Sequence, residues 1–183
     1  MKWIATLTLA GALAACGTAG SSSPNIQTAH SSANAAFASY HTFGFRLSGQ
    51  PSAPYEVTAR SFEVEKRMRP LIVAELVRRG YEELTAENKP DFVVAFASGY
   101  AKEPAGTVSP AELGGSAGAV PPVEKGKLVV DAFDTSTDTQ VWHGTAEAEV
   151  NPDKIDDTLL QAAVQRLLST FPPRNGVTMA QAP

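Results

Sequence analysis

The sequence predicts an α+β fold: a small mixed β-sheet of about four strands, chain order β-α-β-β-β-α, with two helices packed on one face. Three observations carry this. Two long segments place apolar residues at three- and four-residue steps, one run between them is continuously apolar, and two alternating segments flank a polar turn. Two helices covering one side of a small sheet is the economical way to bury those stripes.

The first strand spans Tyr40 to Leu47, where YHTFGFRL alternates. His41, Phe43, Phe45 and Leu47 fall on one face and Tyr40, Thr42, Gly44 and Arg46 on the other. The first helix runs from Glu56 to Arg79 on the stripe Val57, Ser61, Val64, Met68, Leu71, Ile72 and Leu76, with Gly80 as the residue that ends it. Pro70 removes an internal hydrogen bond and is expected to kink or split this helix. Asp91 to Gly99, DFVVAFASG, reads as a central strand covered on both faces. Tyr100 to Lys125 is heavy in Pro, Gly and Ala, and is expected to be a mobile loop.

The hairpin is the clearest element. Leu128, Val130 and Ala132 alternate with Lys127, Val129, Asp131 and Phe133, and after the Asp134 to Thr139 turn Trp142, Ala146, Ala148 and Val150 alternate with His143, Thr145, Glu147 and Glu149. Asn151-Pro152-Asp153 then has the composition of a helix cap. The second helix carries Ile155, Leu159, Leu160, Ala163, Val164, Leu167, Leu168 and Phe171, and Pro172-Pro173 stops it.

The chain therefore divides into a signal at residues 1–15, a lipidated cysteine with a flexible tether at 16–39, one domain at 40–171 and a disordered tail at 172–183. The signal reading rests on Lys2, the short apolar stretch after it, and Leu13-Ala14-Ala15-Cys16-Gly17. Those last five residues resemble the bacterial lipobox, which implies that Cys16 becomes a diacylglycerol-modified, N-acylated terminus. Several acyl chains, at about 0.8 kcal/mol per buried CH₂, make a firm anchor. In the resemblance to Gram-negative lipoproteins, an aspartate in place of Gly17 would imply inner-membrane retention, so that resemblance implies the outer membrane, and the periplasmic face is the expected side.

Composition narrows the function. With 15 Lys+Arg against 19 Asp+Glu and a net charge of -4, the chain lacks a basic field for counterion-release binding, so nucleic acid is not an expected partner. A single cysteine provides neither an internal disulfide nor a thiolate-rich zinc site.

Several short motifs together resemble the bacterial lipoprotein domain-of-unknown-function family DUF4136. They are the tyrosine-led strand at Tyr40, Arg79-Gly80-Tyr81, Pro90-Asp91-Phe92-Val93-Val94, Gly126-Lys127-Leu128-Val129-Val130-Asp131, Val141-Trp142-His143-Gly144 and Phe171-Pro172-Pro173. Pro70 and the Tyr100 to Lys125 insertion depart from the pattern. The resemblance implies an envelope lipoprotein with an α+β domain and brings no catalytic residues with it.

Candidate chemistry is sparse. His41 and His143 would meet if their strands neighboured each other, and Glu147 shares a strand face with His143, so these three are the candidate ligand or acid/base site. Ordinary half-exposed strand histidines are the plainer reading. Asp131, Asp134 and Asp138 have oxygen ligands for a cation, but not at an EF-hand spacing, and a turn needs such residues anyway. Lys66, Arg67 and Arg69 sit beside Glu63 and Glu65, which reads as a solvated mixed-charge helix face. Gly114 to Gly118 lacks a phosphate-loop lysine, and Trp142 falls on the apolar face of its strand. No catalytic residue, cofactor or metal is expected. The function that follows is a non-catalytic module binding an envelope protein through a sheet edge or the loop. The alternative is a ligand-binding or hydrolytic domain acting on envelope glycan or lipid.

Overall fold

The computed structural model describes residues 24–30, 37, 39–47, 50–85, 88–102, 124–151 and 153–174. Among them the elements are β1 (Asn25–His30), β2 (Thr42–Phe45), α1 (Ala59–Arg78), β3 (Glu82–Glu83), β4 (Phe92–Lys102), β5 (Glu124–Asp134), β6 (Gln140–Val150) and α2 (Asp157–Leu168). One sheet takes the order β1-β6-β5-β4-β2-β3. β2 is parallel to β3 and β4, and the remaining pairs are antiparallel. The fold class is the expected mixed sheet with two helices, but the sheet has six strands rather than about four.

Both additional strands are edges. β1, NIQTAH, lies in the stretch expected to be tether, and it pairs antiparallel with β6 from Asn25↔Glu147 to His30↔Trp142. Phe37, from the same stretch, is buried against Tyr40, Phe92 and Phe171. The domain therefore begins before residue 40. β3 contains only Glu82 and Glu83 and continues the β2 register outward.

Ring packing sets the helix-covered face. Phe92 is fully buried, with the rings of Phe43, Tyr81 and Phe171 at centroid distances of 6.0, 5.2 and 5.7 Å. Trp142 joins through Phe171 at 5.2 Å. Gly144 is required there: a Cβ at this position would stand 2.4 Å from the Trp142 ring and 2.7 Å from Leu167. The indole lies across the space a side chain would occupy.

Pro70 does not divide the first helix, since Ala59–Arg78 is continuous through it. Met68, Ile72 and Leu76 flank the proline and are fully buried. At about 1.5–3 kcal/mol each, their burial outweighs the roughly 3 kcal/mol cost of an interior proline. Thr58 is the N-cap, its N–H donating to Ser61 Oγ at 3.0 Å. Gly80, at φ 91°, takes the left-handed conformation expected just past the helix end.

β4 is interior, as expected, but runs past Gly99 to Lys102, and β5 begins at Glu124, so the ends of the expected loop are strand. Residues 103–123 lie outside the described residues. Short β2 pairs only with Phe92 to Val94 of β4. Farther along, the Ser98 N–H donates to Glu65 Oε1 at 3.0 Å, and Tyr100 exchanges backbone bonds with Glu56. These contacts satisfy backbone groups that a longer β2 would have paired.

α2 starts at Asp157 rather than at the expected Asn151-Pro152-Asp153 cap. Asp156 is the N-cap, accepting from the Thr158 and Leu159 N–H groups at 2.9 and 3.0 Å. Arg60 explains the delay. Its guanidinium donates to the carbonyls of Asn151 and Lys154, holding those oxygens outside a helix. After α2 the chain stays bound through Arg174, whose N–H donates to Arg79 O at 3.0 Å, while Tyr81 OH donates to Pro172 O at 3.0 Å. Pro172 to Arg174 therefore belong to the domain, correcting the expected start of the tail. Residues 175–183 lie outside the described residues.

Candidate functional site

The candidate histidines do not meet. β4 and β5 lie between β2 and β6, so at about 4.8 Å per strand His41 and His143 are separated by roughly 14 Å across the sheet. His41 is exposed before β2; its N–H donates to Asp91 Oδ2 at 2.8 Å and its Nδ1 meets Ser39 O at 2.7 Å. His143 lies on β6, facing away from the helices, with Nδ1 2.6 Å from Asp131 Oδ1. Gln140 donates to the same oxygen at 2.7 Å. Glu147 is on that face but pairs with Lys127 at 3.0 Å. The expected juxtaposition of His41, His143 and Glu147 is corrected to two cross-strand pairs and a separate loop contact.

The three aspartates also separate. Asp134 accepts through Oδ1 from the N–H and hydroxyl groups of Ser136 and Thr137, and through Oδ2 from Tyr40 OH at 2.5 Å. The Ser136 and Tyr40 hydrogen bonds hold its carboxyl below the usual range. Burial, then the bond to Asp134, pushes the Tyr40 hydroxyl up. Asp138 pairs with Arg46 at 2.7 Å and Asp131 with His143. Among the described residues no cluster of three or more His, Cys, Asp or Glu converges to hold a metal.

Of the helix cations Lys66, Arg67 and Arg69, the two arginines are engaged in structure and Lys66 is exposed. Arg67 pairs with Asp157 of α2, and Arg69 with Glu83 of β3 while lying 4.0 Å over the Phe45 ring. Deeper in, Arg79 is buried and donates to Glu75 Oε2 at 2.6 Å and to Phe171 O at 3.3 Å. Burial pushes the Glu75 carboxyl up, but hydrogen bonds from Arg78 and Arg79 outweigh it and leave the pKa below its ordinary value. The pair locks the end of α1 to the chain leaving α2. The helix reading missed it, although the four-residue spacing of Glu75 and Arg79 was visible.

Two features remain that structural pairing does not absorb. One is the outer edge of β1, which pairs with β6 on one side only among the described residues. The other is an apolar cleft of about 70 Å³ between the entry to α2 and the first turns of α1. Gly126, Leu128, Ala146, Ala148 and Val150 line it from the sheet, and Val64, Leu159, Leu160 and Ala163 from the helices. Arg60, Lys154 and Pro24 also border it. Arg60 is held by Glu124 at 2.8 Å and lies 4.5 Å over the Tyr100 ring. Cys16 lies outside the described residues.

Among the described residues these features define a one-sheet α+β domain with an unpaired outer strand edge and an apolar cleft. The chain belongs to the Domain of unknown function (DUF4136) family, which matches residues 27–173. Among solved structures, it resembles a PDZ domain protein from Parabacteroides distasonis at 12% identity and TM-score 0.51, over 80% of this chain and 36% of that one. The chain thus spans about a third of that protein's length, and the likeness concerns the fold alone. A DUF4136 family protein from Bacteroides thetaiotaomicron is 12% identical at TM-score 0.48, over 79% of this chain and 94% of its own. The PelC dodecamer from Paraburkholderia phytofirmans is 12% identical at TM-score 0.46, over 80% and 96%. No curated protein matches by sequence. Among the described residues no helix is long and apolar enough to cross a membrane.

Proposed function

We propose that this chain is an envelope lipoprotein, anchored through Cys16 at the periplasmic face of the outer membrane, whose domain captures an envelope protein by pairing with the outer edge of β1. The carrying observation is the place of β1: an edge strand bonded only to β6 among the described residues. Such an edge presents backbone donors and acceptors to an incoming strand. The lipobox-like run ending at Cys16 supports the anchor, and Gly17 supports the outer membrane. A hydrolytic or ligand-binding reading built on His41, His143 and Glu147 lacks the juxtaposition it needs.

Adjacent strand residues direct their N–H groups to opposite sides, so of Gln27 and Thr28 one faces β6 and the other faces outward. Proline at the outward position should keep the fold and reduce capture. In-cell photo-crosslinking from β1, read by mass spectrometry of purified envelopes, should give one saturable protein adduct that the outward proline removes. Adducts only to glycan or lipid, or unchanged capture by a folded outward-proline variant, would refute the edge-pairing model.

A further inference from the structure

We propose that the cleft between the first turns of α1 and the entry to α2 takes the methyl end of a fatty acyl chain from an envelope lipid. This rests on the reading that Cys16 holds the chain at a membrane. The hollow arises from residue size. On the helix-covered face of β5 and β6, Gly126, Ala146 and Ala148 have side chains that stop at or before Cβ. Farther along the same face, Trp142 fills the space completely.

About 70 Å³ is roughly half the ~150 Å³ that admits a benzene ring, so the cleft suits the last few carbons of a chain rather than a ring. Its aliphatic lining provides few of the two to four polar partners that hold a buried water. Polar groups stand at the border. Arg60 is committed to Glu124 and to two carbonyls, whereas Lys154 is exposed there, suited to the lipid's anionic head. Location selects a lipid as the occupant. Pro24 borders the cleft, and Cys16 is only eight residues before it, a reach of at most about 28 Å. The cleft therefore lies within one short chain length of the anchor.

The test uses the full chain with Cys16→Ser, which has no acyl chain of its own, and a dansyl-labelled undecanoate probe displaced by fatty acids of six to fourteen carbons. Saturable binding is expected, tightening about fourfold per methylene over a few carbons and then levelling off. Ala148→Leu should weaken laurate at least tenfold with circular dichroism and Tm retained, and Lys154→Gln should weaken laurate but not dodecanol. A diazirine-bearing fatty acid provides a readout that needs no cleft variant to fold: its adducts should map to peptides lining the cleft. Absence of saturable binding, binding unchanged in a folded Ala148→Leu chain, or adducts confined elsewhere would overturn the proposal. The intact mass of the wild-type protein from membranes reads the anchor separately. An unmodified Cys16 would overturn the anchoring reading and the membrane source, whatever the fatty-acid series shows about the cleft.

Discussion

Gly144→Ala should destabilise this domain, although removing a glycine from a strand interior ordinarily gains about 0.5–1 kcal/mol. The new Cβ would stand 2.4 Å from the Trp142 ring and 2.7 Å from Leu167 Cδ1, well inside contact distance. Neither neighbour has room to yield, because Trp142 and Leu167 are both fully buried, and Trp142 also packs on Phe171 at 5.2 Å. Overpacking of this kind costs about 1–3 kcal/mol. Its upper half exceeds the propensity gain, so the expected net loss is about 1–2 kcal/mol. With a urea slope of about 1–3 kcal/mol/M, the midpoint should fall by roughly half to one molar at unchanged slope. Leu167→Ala alone should cost about 2–5 kcal/mol, and the double variant less than the sum, because the cavity accepts the displaced indole. A neutral or stabilising Gly144→Ala, or strict additivity with Leu167→Ala, would refute the packing argument.

Other perturbations test the remaining supports. Phe92→Ala should cost about 3–5 kcal/mol in the same urea melts, since it removes the ring that Phe43, Tyr81 and Phe171 surround. Arg79→Ala should cost up to about 3 kcal/mol, below the loss expected for a lone buried pair because Arg78 stays on Glu75 at 2.7 Å, and adding Glu75→Gln should restore part of it. Asp134 has a folded pKa below its unfolded value, so its stabilisation is complete above the unfolded pKa and is lost as pH falls through the folded one. Asp134→Asn should therefore flatten the decline of Tm below about pH 4, and an unchanged acid limb would remove Asp134 as its source. Tyr40, Tyr81 and Tyr100 have raised pKa values through burial, Tyr81 to about 12. Their stabilisation is complete below about pH 10 and fades as pH rises through the folded values, so Tm should fall there while tyrosinate absorbance lags behind that of free tyrosine.

How much was legible varies element by element. The helix-covered face of β5 and β6 and the buried stripe of α2 announce themselves, because burial against a partner layer writes a period into the sequence. β1 and β3 carry no such period. NIQTAH pairs on one side only among the described residues, and Glu82-Glu83 is exposed and only two residues long, so register with a neighbour, not apolar alternation, makes them strands. The Asn151 cap was misleading for a related reason: local composition favours a helix start, but Arg60, about ninety residues earlier, claims the carbonyls of Asn151 and Lys154. In the candidate site, the shared strand face of His143 and Glu147 was readable, whereas the distance to His41 depends on two intervening strands.

By itself the sequence determined the fold class, the buried stripes, the glycine that ends α1 and the placing of Trp142 in the core, because these follow from spacing within one element. Tertiary structure decided the strand order, the separation of His41 from His143, the use of Glu75 and Arg79 as a buried clamp, and the opening of a cleft over Gly126, Ala146 and Ala148. Each of those depends on which distant segments become neighbours, and local periodicity says nothing about the other side of a contact.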